Sequence, residues 1–229
     1  MNSTGLRYLG AALIVLVAIW LGVKFHLGRQ DHEGVSVRAG VASVPDPTED
    51  AALQAADGRH PVVPAKLPDF SLADLAGKPT SVSSWNGKSL VINFWATWCA
   101  PCQREIPLLK TLAADWGARN LTVVGIAVDH PDKVREFAGR FKIDYPMLVG
   151  EQDALDVAAQ FGMASPAFPF TVFTDQRGEI VALFVGELHR PEADFILSQV
   201  QSLNQDRIQL PEARRAIAEA LGAMANKPG

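Results

Sequence analysis

The chain of 229 residues carries two cysteines, Cys99 and Cys102, separated by Ala100 and Pro101. They follow Phe94-Trp95-Ala96-Thr97-Trp98, where an apolar run gives way to a helical pattern. This junction puts Cys99 in the N-cap region of a helix and Cys102 in its first turn. Unpaired backbone N–H groups and the positive end of the helix dipole stabilise an anion there, so the first thiol is expected to hold more thiolate than a free cysteine. Cys99 is then the attacking nucleophile, and the more enclosed Cys102 resolves the mixed disulfide. Pro101 suits a first helical turn and stiffens the short loop. Glu105 lies three positions beyond Cys102, which brings a carboxyl group onto the same helix face.

Other uses of the two sulfurs make different demands. A structural disulfide across so small a loop would contribute only about 2 kcal/mol. Zinc needs two further ligands, and His26, His32, His60, His130 and His189 show no paired spacing. Linear binding of Cu(I) by two thiolates stays open, because soft sulfur suits that ion. Oxidase or isomerase chemistry at the same dithiol also stays open.

The elements that must position this pair can be read from periodicity and turn residues. Short strands are expected over 70–72 and 78–82 around Ala76-Gly77, and a buried strand over 90–94. A helix over 100–116 has Ile106, Leu108, Leu109 and Leu112 on overlapping faces, Gly117 as its stop and Pro107 inside as a source of a kink. Beyond it the pattern predicts a strand at 121–128, a helix at 131–140, a strand at 145–149 and a helix at 154–161. A hairpin of strands 170–174 and 180–185 and a helix at 191–203 complete the domain. Strands alternating with helices and ending in a hairpin imply an α/β fold, a mixed sheet covered on both faces.

The rest of the chain is appendage. Residues 9–23 form an uninterrupted stretch of apolar residues and glycine, with Leu6, Tyr8, Trp20 and Phe25 at its margins, and no small-x-small cleavage site follows it. Residues 6–25 are therefore expected to be an uncleaved membrane anchor, and the acidic, proline-bearing residues 26–65 a flexible linker. The folded domain is expected over 66–205, and 206–229 as a terminal helix or tail whose apolar side carries Leu210, Ala213, Ile217 and Leu221. With 21 basic against 25 acidic residues, the chain has no basic footprint for nucleic acid.

Trp-Cys-Ala-Pro-Cys after an apolar strand resembles the thioredoxin fold. The apparent anchor, Asn93-Phe94-Trp95-Ala96-Thr97-Trp98 before the dithiol, Glu105-Ile106-Pro107 after it and an extra helix–strand around 133–149 resemble its TlpA-like, membrane-anchored branch. That branch includes the ResA- and DsbE-type reductases of cytochrome c maturation. The resemblance spans about 67–203. It implies a thioredoxin-like α/β domain that exchanges disulfides with partner proteins, without a cofactor or metal, on the extracytoplasmic side of the bacterial inner membrane. Electrons would come from a transmembrane thiol reductase of the DsbD or CcdA type. It implies that Pro169 is a cis-proline facing the dithiol, with the backbone of Phe168 left for an extended substrate strand, although Phe170 stands where the branch more often has threonine. It implies that Glu105 is the proton acceptor or thiol modulator, because Asn93 replaces the buried acid of ordinary thioredoxins. Trp98, beside Cys99, is expected to shape the rim of the site while lying, like Trp95, partly in the core.

Overall fold

The computed structural model describes residues 63–163 and 165–226. The expected anchor at 6–25 lies outside the described residues, as does nearly all of the expected linker. Among the described residues no helix is long and apolar enough to cross a membrane.

Seven strands form one sheet: β1 (Ser71–Asp74), β2 (Pro79–Ser81), β3 (Ser89–Trp95), β4 (Leu121–Val128), β5 (Met147–Gly150), β6 (Phe170–Thr174) and β7 (Ile180–Val185). Their spatial order is β2-β1-β5-β4-β3-β6-β7. Strand β3 lies parallel to β4 and antiparallel to β6, β4 lies parallel to β5, and the remaining neighbours are antiparallel. Among the described residues the α-helices are α1 (Ala100–Trp116), α2 (Pro131–Phe141), α3 (Gln152–Gln160), α4 (Arg190–Asn204) and α5 (Leu210–Ala225). The sheet is mixed, as the alternation of elements implied, and α2 with β5 forms the expected extra helix–strand.

Every residue of β3 is buried, because both faces of the sheet are covered. Val91 and Trp95 point into one apolar cluster with residues of α1, α2, α4 and α5. Leu90, Ile92 and Phe94 point into the other, with α3, Phe70, Val82 and Phe161. The period-2 alternation of the strand thus sorts its side chains between two cores. Gly125 of β4 lies opposite Asn93 in the register, and a Cβ there would stand 3.2 Å from the Tyr145 ring and collide with the Met147 sulfur. The bare backbone leaves room for those two side chains beside the centre of β3.

Helix α1 has the expected bounds and continues past Pro107 to Trp116. Its exit differs from expectation. Gly117 keeps helical dihedrals and opens a short 3-10 turn over Gly117–Arg119, and the left-handed residue is Asn120 at φ 59°. Asparagine tolerates that region better than most residues, and here its Nδ2 also donates to Gly87 O at 2.7 Å.

The described chain is tied to the sheet at both ends. Ile180 N–H donates to Ala65 O, and Leu67 N–H to Gly178 O. Helix α5 buries Ala213 and Ile217 in the first core, and the Arg214 guanidinium donates to Ile180 O at 3.1 and 2.5 Å. Truncating a buried isoleucine costs roughly 2–5 kcal/mol. Ile217→Ala should therefore lower the midpoint of urea unfolding by an amount matching about 2 kcal/mol or more, whereas a helix that only frays from the domain would give a shift too small to resolve.

Candidate functional site

Strand β3 ends at Trp95 and α1 begins at Ala100, so the four intervening residues turn the chain from the sheet into the helix. Cys99 is the N-cap residue, with extended backbone, and its Sγ accepts the Cys102 N–H at 3.3 Å. Pro101 occupies the first turn, where its missing N–H costs nothing. The two sulfurs are joined in a disulfide with Cα atoms 5.3 Å apart. Cys102 is wholly enclosed at 0% exposure, and Cys99 is 5% exposed. Any approach to the pair is therefore by way of Cys99.

Glu105 is not a surface carboxylate. It is 2% exposed, with Oε1 accepting from Asn93 Nδ2 at 2.8 Å and Oε2 accepting the Leu188 N–H at 2.8 Å. Asn93 Nδ2 also donates to Thr171 Oγ1 at 3.0 Å, so one amide joins β3, β6 and α1. Burial pushes the Glu105 carboxyl up to about 7, against its ordinary value of 4.5. The Leu188 and Asn93 bonds favour the charged form and limit the rise, while the nearby Glu187 charge adds to it. Burial, and then the charge of Glu105, likewise push the Tyr145 hydroxyl upward.

Trp98 is 68% exposed and does not belong to the core, contrary to expectation; Trp95, at 1%, does. The difference follows from the end of the strand, since Trp98 lies in the turn beyond it and meets Phe168 edge-on at 6.2 Å. The Phe168–Pro169 peptide is cis. Phe168 is half-buried, and its ring stacks on Phe170 at 6.3 Å. Phe170, in the position often held by threonine, faces away from the dithiol helix into the second core and stacks on Phe94 at 4.3 Å.

Sequence reasoning missed two supports of this site. Asp129, just past β4, accepts a short hydrogen bond from Thr97 Oγ1 and another from His130 N–H at 2.8 Å, and so fixes the turn that carries Trp98 and Cys99. Burial opposes its charge, but those bonds and Lys133 outweigh it and hold the carboxyl below its usual range. Its place just beyond the carboxyl end of a parallel strand was the available signal. The second support, Leu188, acts through a backbone N–H, and no residue type announces that. Among the described residues no group of three or more His, Cys, Asp or Glu is placed to hold a metal ion.

The arrangement couples a disulfide at a helix N-terminus to a buried acid on the next turn of that helix. Comparison with known proteins agrees with such chemistry. Residues 63–197 match the Redoxin family model. The chain is similar to the thiol-disulfide oxidoreductase ResA of Geobacillus kaustophilus, 30% identical over 140 residues, covering 61% of this chain and 78% of that protein. It is also similar to the thioredoxin-like protein YneN of Bacillus subtilis, 34% identical over 133 residues, covering 56% of this chain and 75% of that one. Among solved structures, a thiol:disulfide interchange protein of the thioredoxin family from Chlorobium tepidum superposes with a TM-score of 0.55 at 29% identity, covering 60% of this chain and 97% of that one.

The Glu105 carboxyl predicts a specific pH dependence of folding. Below its unfolded value of about 4.5 both states hold the proton; between there and about 7 only the folded state does, so stability falls as pH rises across that window and is level above it. The fall should be on the order of 3 kcal/mol. Glu105→Gln loses an acceptor at every pH, but the slope assigned to Glu105 should vanish. Denaturant melts of oxidised wild type and variant from pH 4 to 8 measure it; parallel curves would refute the assignment.

Proposed function

The chain belongs to the Redoxin family, among its ResA-like thioredoxin-fold thiol–disulfide oxidoreductases, and on that premise we propose that it works as a reductase of partner-protein disulfides with Cys99 as its nucleophile. The single observation that carries the reading is the buried Glu105, one helical turn beyond the enclosed Cys102, with a proton affinity poised near neutrality.

The cycle balances as a two-electron exchange. In the reduced protein a Cys99 thiolate, supported by the Cys102 N–H that its sulfur already accepts, attacks one sulfur of a substrate disulfide. That S–S bond breaks, a Cys99–substrate disulfide forms, and the departing sulfur takes a proton from water. Cys102 then gives its proton to the Glu105 carboxylate and attacks Cys99. The Cys99–Cys102 bond closes, and the second substrate sulfur leaves and takes up the proton held on Glu105, which returns to the carboxylate. The substrate has gained two electrons and two protons, and the protein's dithiol has lost them. A carboxyl group titrating near 7 suits this transfer, because it accepts and returns the proton with little driving force wasted in either direction.

Trp98, the chain neighbour of Cys99, and Phe168, which meets it edge-on, supply aromatic surface near the dithiol, and Pro169 ends the loop before β6. We assign substrate contact to these three. The expected anchor at 6–25 would tether the domain to the bacterial inner membrane on its periplasmic side, where disulfides form and a dedicated reductant has targets. Cytochrome c maturation or oxidase assembly would supply such targets, and a DsbD- or CcdA-type transmembrane thiol reductase would return the electrons. These assignments are supported by the apolar run 9–23 and by the resemblance to membrane-anchored relatives.

A trap with Cys102→Ser tests the nucleophile: the variant should accumulate a mixed disulfide through Cys99, and Cys99→Ser should accumulate none. Poise tests the direction. The dithiol should equilibrate nearer to thioredoxin, at about −270 mV, than to a strong oxidant at about −120 mV. A value near the second figure would make the protein an oxidase.

A further inference from the structure

The turn after β7 makes two inward contacts. Gly186 N–H donates to Pro169 O at 2.9 Å, and Leu188 N–H donates to Glu105 Oε2 at 2.8 Å. Between them Glu187, only partly exposed, meets Arg104, the neighbour of Glu105 on α1. Arg104 Nε donates to Glu187 Oε1 at 3.1 Å and to Oε2 at 2.9 Å, and Nη2 donates to Oε2 at 2.5 Å. Residues 186–188 thus touch the loop of Pro169 at one end and the buried acid at the other, and their middle residue is fastened beside that acid from outside.

We propose that the Arg104–Glu187 pair is a clasp that positions residues 186–188, aiming the Leu188 N–H at Glu105 and the Gly186 N–H at Pro169, and so joins the proton-accepting side of the site to its substrate-facing loop. Its kinetic consequence rests on Glu105 being the proton acceptor; its structural consequence does not.

The side-chain exposures argue for positioning over bulk stability. Arg104 is 59% and Glu187 20% exposed, and a pair with its cation so open to water contributes modestly to folding. A forked guanidinium–carboxylate contact nevertheless fixes orientation, which a single point charge would not. The Leu188 side chain is buried and holds that residue in place, which leaves the direction of its N–H to the turn that precedes it. Around Glu105 the titratable or charged groups are Glu187 from this turn and Tyr145 from the segment before β5; Cys102 on its own helix is held in the disulfide, and the neutral amide of Asn93 faces Glu105 from β3. The Leu188 bond favours the carboxylate, and the Glu187 charge opposes it. Opening the clasp acts twice in one direction, loosening the N–H and exposing the Glu187 charge, so Glu105 should hold its proton to higher pH.

The test is Arg104→Gln in the full chain, with the Glu105 carboxyl carbon followed by NMR through a pH titration. Its midpoint should rise by about half a pH unit or more. About 1 M salt screens exposed charges, so the part of the rise owed to lost positioning should persist there. Arg104→Lys should fall between, because an ammonium can pair with Glu187 but cannot fork, and the double exchange Arg104→Glu with Glu187→Arg, which restores the pair and removes the Glu187 charge, should bring the midpoint to or below the wild-type value. The rate–pH profile for reduction of a disulfide peptide should shift with the NMR midpoint, and KM for that peptide should increase through the Pro169 contact. An unmoved midpoint in Arg104→Gln, or a rise abolished by salt, would overturn the clasp. The outcome for Glu105 as proton acceptor is read separately: an unchanged exchange profile in Glu105→Gln would end that role while the titration result for the clasp stood.

Discussion

A carboxyl group has been taken out of water beside a disulfide, and much of the architecture is what that demands. Isolated in an apolar interior, such a group would cost several kcal/mol when charged. Two donors make it tolerable: the Asn93 amide from the central strand and the Leu188 N–H from the turn after β7. Neither is local to Glu105 in the chain. The acid therefore depends on α1 lying across β3 and on β7 returning its following turn to the same point, so a change in the packing of either element changes its charge state. The reverse also holds, because Asn93 binds Thr171 and Glu105 together and pins the helix to two strands.

This constraint separates what the sequence could tell from what it could not. The apolar runs of β3 and β4 and the Cys-Ala-Pro-Cys junction were readable because buried strands and helix starts leave local signatures, and the bounds of α1, β4, β6 and β7 agree with expectation. The position of Glu105 relative to Cys102 was also local, being a matter of helical repeat. Its burial was not. A glutamate in the first turns of a helix is normally solvated, and only the partners at Asn93 and Leu188, 12 and 83 residues away in the chain, show otherwise. Trp98 erred in the opposite direction. It was expected to lie partly in the core, yet β3 had already ended at Trp95, and no pleat remained to direct the side chain inward.

The aromatic residues divide between these two situations. Phe94, Phe161 and Phe170 interlock within the second core, and Phe168 stacks on the last of them while its other side meets the exposed Trp98. The aromatic surface at Trp98 is thus braced by a packed interior. The thiol side is braced in a different way, by Asp129 holding Thr97 and by Gln103 Nε2 donating to Thr97 O at 2.7 Å. Both devices fix a turn that has no regular hydrogen-bond ladder of its own.

The sheet has two ends, and a strand at an end exposes carbonyl and amide groups to any passing chain. At β7 the carbonyl of Ile180 is already occupied by the Arg214 guanidinium, and Ala65 has taken the amide of the same residue. Helix α5 is therefore more than an appendage to the core: it removes a nucleation point for intermolecular strand pairing. That matters for a thiol–disulfide oxidoreductase, because an open edge pairs with any extended strand presented to it. Closing β7 at Ile180 favours exchange at sulfur over edge-to-edge association between strands.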